Sequence, residues 1–157
     1  MELFAIEQFE LIFRLVVAMG LGLILGTERV FAHKMAGMRT YALVAMGSAL
    51  FVVIVQVVIS SQGAFANFDP LRMASNIAVG LGFIGAGVII FRGTQVQGLT
   101  TAAGIWVAGG IGIATGYGLY VIAVAATLLT LFVFSILSLL ERRLKKMSHV
   151  WEDDRPQ

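Results

Sequence analysis

Residues 40 to 61 read TYALVAMGSALFVVIVQVVISS, a run with no charged side chain. A helix advances about 1.5 Å per residue, so this run is long enough to cross the roughly 30 Å hydrocarbon core of a bilayer. Lipid offers no partner to backbone amides, so such a run must be helical. Four flanking stretches qualify on the same grounds, at residues 9–26, 70–91, 99–115 and 119–140, the stretch 99–115 being the shortest and weakest. The expected architecture is an all-α polytopic membrane protein, a bundle of five transmembrane helices in residues 1–140, followed by a charged cytosolic tail at 141–157.

Composition agrees. The chain has 157 residues, 59% apolar and only 13% charged, and a mean hydropathy of +0.92. A soluble domain carries about a quarter charged residues. With no cysteine, disulfide frameworks, thiolate metal sites and thiol nucleophiles are excluded. A net charge of +2 is no footprint for nucleic acid. The N-terminus has Glu2, Glu7 and Glu10 where a removable signal peptide would be basic, so the first helix is expected to stay in the mature protein.

Lysine and arginine set the orientation. An outside N-terminus puts Arg29, Lys34, Arg39, Arg92, Arg142, Arg143, Lys145, Lys146 and Arg155 inside, leaving Arg14 and Arg72 outside. The prediction is N-out, C-in. Glu10 and Arg14, four positions apart, can pair on one helical face, with Arg14 reaching for the nearer surface.

Membrane helices associate by close backbone approach, which favours small residues at every fourth position. Three rows fit: Ala18, Gly22 and Gly26; Ala78, Gly82 and Ala86; and Thr100, Gly104, Ala108, Gly112 and Gly116. The last runs the length of its span, which predicts a fourth helix in the centre of the bundle. Gly80, Gly82 and Gly85 match a dinucleotide-binding spacing, but lie inside an apolar helix instead of after a strand, so they read as packing. Thr115-Gly116-Tyr117-Gly118 reads as a glycine turn between helices four and five.

Charge at membrane depth is costly unless paired or hydrated, so ionisable groups near the spans are the functional candidates. Glu28 and Arg29 end helix one, Arg39 and Thr40 begin helix two, and Glu28 and Arg39 are placed to face each other across the hairpin. Asp69-Pro70 is a helix-start signal; it leaves Arg72 and Asn76 to meet polar partners inside the bundle. Arg92, Thr100 and Thr101 surround a helix start that suits an anion, with Trp106 filling space between helices. His33 and His149 have no spaced carboxylate or nucleophile, so an enzyme is not expected. No cofactor is expected; Glu28 or Asp69 offers an oxygen ligand for magnesium, but one carboxylate at each end makes no cage.

Taken in order, GTER (26–29), AGMRTYALVAMGSALF (36–51), DPLRMA (69–74), GLGFIGAGVI (80–89) and GLTTAAGIW (98–106) resemble the MgtC/SapB family of bacterial inner-membrane proteins. The resemblance covers nearly the whole membrane region. It implies a multi-pass inner-membrane protein tied to magnesium homeostasis, growth in low magnesium and, in some pathogens, survival in macrophages. It further implies action by binding and regulating other membrane machines, including ion-motive ATPases, more than by transport. The family's polar positions fall on Glu28, Arg29, Arg39, Thr40, Asp69, Arg72, Arg92, Thr100 and Thr101, and its glycines on Gly80, Gly82, Gly85 and Gly87. Longer members carry a C-terminal cytosolic domain, for which this sequence, ending at Gln157, has no counterpart.

Two functions follow as expectations. The first is a regulator that meets membrane lipid and partner membrane proteins through small-residue faces, self-associating as a homodimer. The alternative is a small oligomeric ion transporter or channel lined by Glu28, Arg39, Asp69, Arg72 and Asn76.

Overall fold

The computed structural model describes residues 2–62, 69–140 and 143–144. Helix α1 spans Glu2–Phe31, α2 Met38–Gln62, α3 Pro70–Gly87, α4 Leu99–Gly116 and α5 Tyr120–Phe132, the last continuing through a π-helical turn at Val133–Leu137. Four of these, α1, α2, α4 and α5 with its continuation to Leu140, are long and apolar enough to cross a membrane. The chain is an all-α polytopic membrane protein. The tail expected at 141–157 lies outside the described residues apart from Arg143 and Leu144, which are helical and exposed.

The third helix, expected to span at 70–91, is shorter than that and is not among the four long enough to cross. Helix α3 stops at Gly87, and the chain forms a hairpin, β1 (Ile90–Arg92) against antiparallel β2 (Gln95–Gln97). Two glycines explain the break. Gly93, at φ +59°, makes the tight turn, and Gly98, at φ +92°, lies so close to Val88 that a Cβ there would meet the Val88 carbonyl oxygen at 2.0 Å. Only glycine permits this return of the chain into α4. Apolar content alone made residues 88–91 read as helix.

Helix ends follow local chemistry. The Asp69 carboxylate accepts from the Leu71 amide at 2.9 Å and Pro70 opens α3, satisfying a donor that a helix start leaves free. At the end of α1 the Lys34 amide donates to the Arg29 carbonyl and the His33 amide to that of Val30, with His33 at φ +53°. This is the left-handed C-terminal cap usually given to glycine. The same pattern closes α4, where the Leu119 amide reaches Ala114 and the Gly118 amide Thr115. Thr115-Gly116-Tyr117-Gly118 is therefore a turn, with Gly118 at φ +75°.

Helix α4 touches α1, α2, α3 and α5, and its small-residue row makes that possible. A Cβ at Gly112 would stand 2.1 Å from the Ala45 carbonyl oxygen and one at Gly116 2.7 Å from Val52. On α1, a Cβ at Gly22 would meet the Tyr41 carbonyl oxygen at 2.5 Å and one at Gly26 the Met38 Cα at 2.5 Å. At Gly22, Gly26 and Gly112 these are backbone-to-backbone seams, the close approach that holds helices together where lipid removes the usual hydrophobic drive. Ala108 is buried in the same row, whereas Thr100, its first member, is exposed.

The α3 row does not pack this way. Gly80, Gly82 and Gly87 have no atom within 4 Å of where a Cβ would stand, and only Gly85 rests on a neighbour, Ala102, at 3.7 Å. Helix α3 leans mainly on α4, through Gly85 and through Leu81 against Gly109, and only lightly on α2. Trp106 is 54% exposed; it points to lipid and fills no gap between helices.

Candidate functional site

The polar side chains gather at the two ends of the bundle. At the end where α1 turns into α2, the last turn of α1 presents Arg29, 2% exposed, ion-paired through two guanidinium nitrogens to the Glu28 carboxylate. The Arg29 guanidinium carbon lies 3.5 Å from the centre of the Phe134 ring. A cation over an aromatic face gains about 2 kcal/mol when desolvated. Phe134 stands on the π-helical turn of α5, whose extra residue per turn resets which side chain faces the bundle. The same ring meets Tyr41 edge-on, with centroids 6.5 Å apart.

Tyr41 is fully buried, and its hydroxyl has no hydrogen-bond partner among the described residues. A Cβ at Gly104 would stand 2.3 Å from that hydroxyl and 2.6 Å from Phe134. Glycine at 104 is what admits both rings beside Arg29. A buried hydroxyl without a partner costs about 1–3 kcal/mol, so this corner holds a polar group whose bonding capacity the resting fold leaves unused.

Arg39 does not take part. It is exposed at the start of α2 and makes no ion pair among the described residues. The expected pairing of Glu28 with Arg39 across the hairpin is corrected: Glu28 turns to its own neighbour Arg29, because Arg29 is drawn under Phe134 into the interior while Arg39 stays outside. Thr40 is half-buried beside it. At the same end Thr101 is buried and Thr100 exposed, Gly98 is the helix cap without side-chain help, and Arg92 is exposed on the hairpin. The left-handed Gly98, and neither threonine, caps this helix start.

At the opposite end of the bundle Arg14, on α1, joins three elements. It pairs with Glu10, donates to Gln56 Oε1 of α2 at 2.8 Å, and donates to the Gly116 carbonyl of α4 at 2.9 Å. That carbonyl is one of those a helix end leaves free, at the negative end of the helix dipole. The Glu10–Arg14 pair was legible from spacing; the tie to α2 and α4 was not. Asp69 and Arg72 are exposed at this end, as is Asn76. None of the three enters the bundle interior, so the expected inward polar partners of Arg72 and Asn76 are corrected as well. Burial, and then the nearby Asp69 carboxylate, raise the Tyr117 phenol above its ordinary value.

Between these ends no ionisable side chain is buried among the described residues. Arg14 and Arg29 are separated by about 22 Å of helix; in that layer Ala18, Leu25, Ala45, Ala49 and Ala108 are fully buried, and the buried polar side chains are the hydroxyls of Ser48, Thr127 and Thr130, the two threonines bonded to the Ala123 and Ala126 carbonyls of their own helix. Glu28 and Asp69 thus lie at opposite ends and cannot share a cation. No group of three or more His, Asp or Glu able to hold a metal occurs among the described residues.

The model of the MgtC family matches residues 15–143. "Putative magnesium transporter YhiD" of Escherichia coli (strain K12) is 37% identical over 89% of this chain and 66% of its own length. "Protein MgtC" of Salmonella typhimurium (strain LT2) is 40% identical over 79% of this chain and 51% of its own. "Protein SrpB" of Synechococcus elongatus is 39% identical over 83% of this chain and 76% of its own. The chain spans about half to two thirds of the length of the first two. No solved structure matches.

Proposed function

The chain belongs to the MgtC family, and from that premise we propose that it is an inner-membrane regulator in magnesium homeostasis, oriented N-out and C-in, acting by binding other membrane proteins such as ion-motive ATPases. The observation that carries this reading is the layer between Arg14 and Arg29, in which no ionisable side chain is buried among the described residues. A conduit within one chain needs polar groups or a water-filled path at membrane depth, and here the charged groups stop at the two ends. The charge cluster of Glu28, Arg29 and Tyr41 is then the responsive element. Its Glu28 is 18% exposed and within reach of the aqueous side, while Arg29 and Tyr41 are sealed behind it.

The contact face for a partner is α3. Ala78, Gly82 and Ala86 lie one above another on its side away from the rest of the bundle, with Gly82 and Ala86 exposed, so a partner helix can approach its backbone closely. A second copy of the chain, giving a homodimer, uses the same chemistry. The relative named as a magnesium transporter favours the alternative of an oligomeric ion path, and the two readings separate in one experiment. In proteoliposomes loaded with a magnesium-sensitive dye, the purified chain is expected to give no magnesium flux above protein-free vesicles, while changing the hydrolysis rate of a co-reconstituted ion-motive ATPase. Flux that Glu28→Ala abolishes would establish transport instead.

A further inference from the structure

A groove of about 620 Å³ opens between α2 and α3, within the roughly 300–1,000 Å³ of sites that enclose a small ligand. Leu43, Gly47 and Phe51 form its α2 wall, and Met73, Gly80 and Ile84 its α3 wall. Neither Gly47 nor Gly80 has an atom within 4 Å of where a Cβ would stand, so the floor is open along its length. Arg39 lies one turn before Leu43, and residues four apart share a helix face, so it stands at the mouth of the groove. It is exposed, with no ion pair among the described residues.

Dimensions select the occupant. From Arg39 to Phe51 is about 18 Å of helix, close to the roughly 15 Å depth of one leaflet's hydrocarbon. A single acyl chain is narrow enough. At its mouth an unpaired guanidinium at the membrane edge complements a phosphate, which it binds by paired charge-assisted hydrogen bonds.

We propose that the α2–α3 groove holds one acyl chain of an anionic phospholipid whose headgroup phosphate rests on Arg39. This site is separate from the Glu28–Arg29 cluster and from the outward row of α3. It gives Arg39 a role that its missing partnership with Glu28 leaves open.

The test uses the full chain in detergent, titrated with phosphatidylglycerol or phosphatidylcholine of the same acyl composition, with bound lipid counted by native mass spectrometry. One phosphatidylglycerol per chain is expected, bound at least about tenfold more tightly than phosphatidylcholine. Arg39→Gln, a surface change, should abolish that preference. Gly80→Leu sends a side chain into the open groove without meeting an atom, so it should keep the melting temperature of the unmodified chain and lose the tight lipid. Equal affinity for the two lipids would overturn the proposal, as would phosphatidylglycerol binding that survives both substitutions. A dimer mass that Gly80→Leu dissolves would assign the groove to a second copy instead.

Discussion

Gly112→Ala is expected to destabilise the bundle by about 3 kcal/mol or more, the upper end of overpacking costs. The added methyl would stand 2.1 Å from the Ala45 carbonyl oxygen and 2.9 Å from the Ser48 Cβ. The first of these is backbone, which no rotamer change can move aside, so α4 must shift away from α2 and loosen its other contacts. Gly110→Ala is the matched control on the same helix. Its Cβ would meet nothing within 4 Å, and alanine is the better helix former by up to about 1 kcal/mol. Thermal or denaturant unfolding in micelles should therefore separate two identical chemical changes two residues apart. Equal stability of the two variants would remove α4 from the centre of the bundle.

Glu28→Gln is expected to cost about 3 kcal/mol, the lower end for breaking a buried ion pair, because Glu28 itself keeps 18% of its surface while Arg29 keeps 2%. The loss comes from leaving a guanidinium inside with only the Phe134 ring against it. Adding Arg29→Met to that variant should recover part of the loss, since an apolar side chain of similar length needs no counter-charge. Arg39→Gln should change stability by no more than about 0.5 kcal/mol. A double-mutant cycle separates the possibilities: strong coupling between positions 28 and 29, and none between 28 and 39.

What the sequence could show depended on the kind of signal. Mostly apolar runs of some twenty residues announced the helices, and the every-fourth-residue row of α4 announced its central place, because both signals are local. The row of α3 carries the same pattern and yet Gly82 has nothing near it. Spacing tells which residues share a face but not whether a neighbour covers it. The hairpin at 90–97 was hidden by its apolar residues, although Gly93 and Gly98 on its turn and return were visible. Arg29 stood in the GTER run, but its pairing with Glu28 depends on burial under Phe134, more than a hundred residues away and set by a π-helical turn with no sequence period. Arg39 was the more plausible partner on paper because a hairpin brings helix ends together; the structure puts only one of the two arginines inside.

The chain contains no cysteine, so single cysteines report their own surroundings. Ala18, Ala45 and Ala108, each fully buried in the layer between the two charged ends, can be replaced one at a time and exposed in vesicles to a charged, membrane-impermeant thiol reagent from either side. With Lys34→Cys, on the exposed loop after α1, as the reactive reference, no labelling is expected at any of the three. Labelling of two or more of them in the folded protein would mean that water runs through the bundle, and the chain would then be a conduit instead of a regulator.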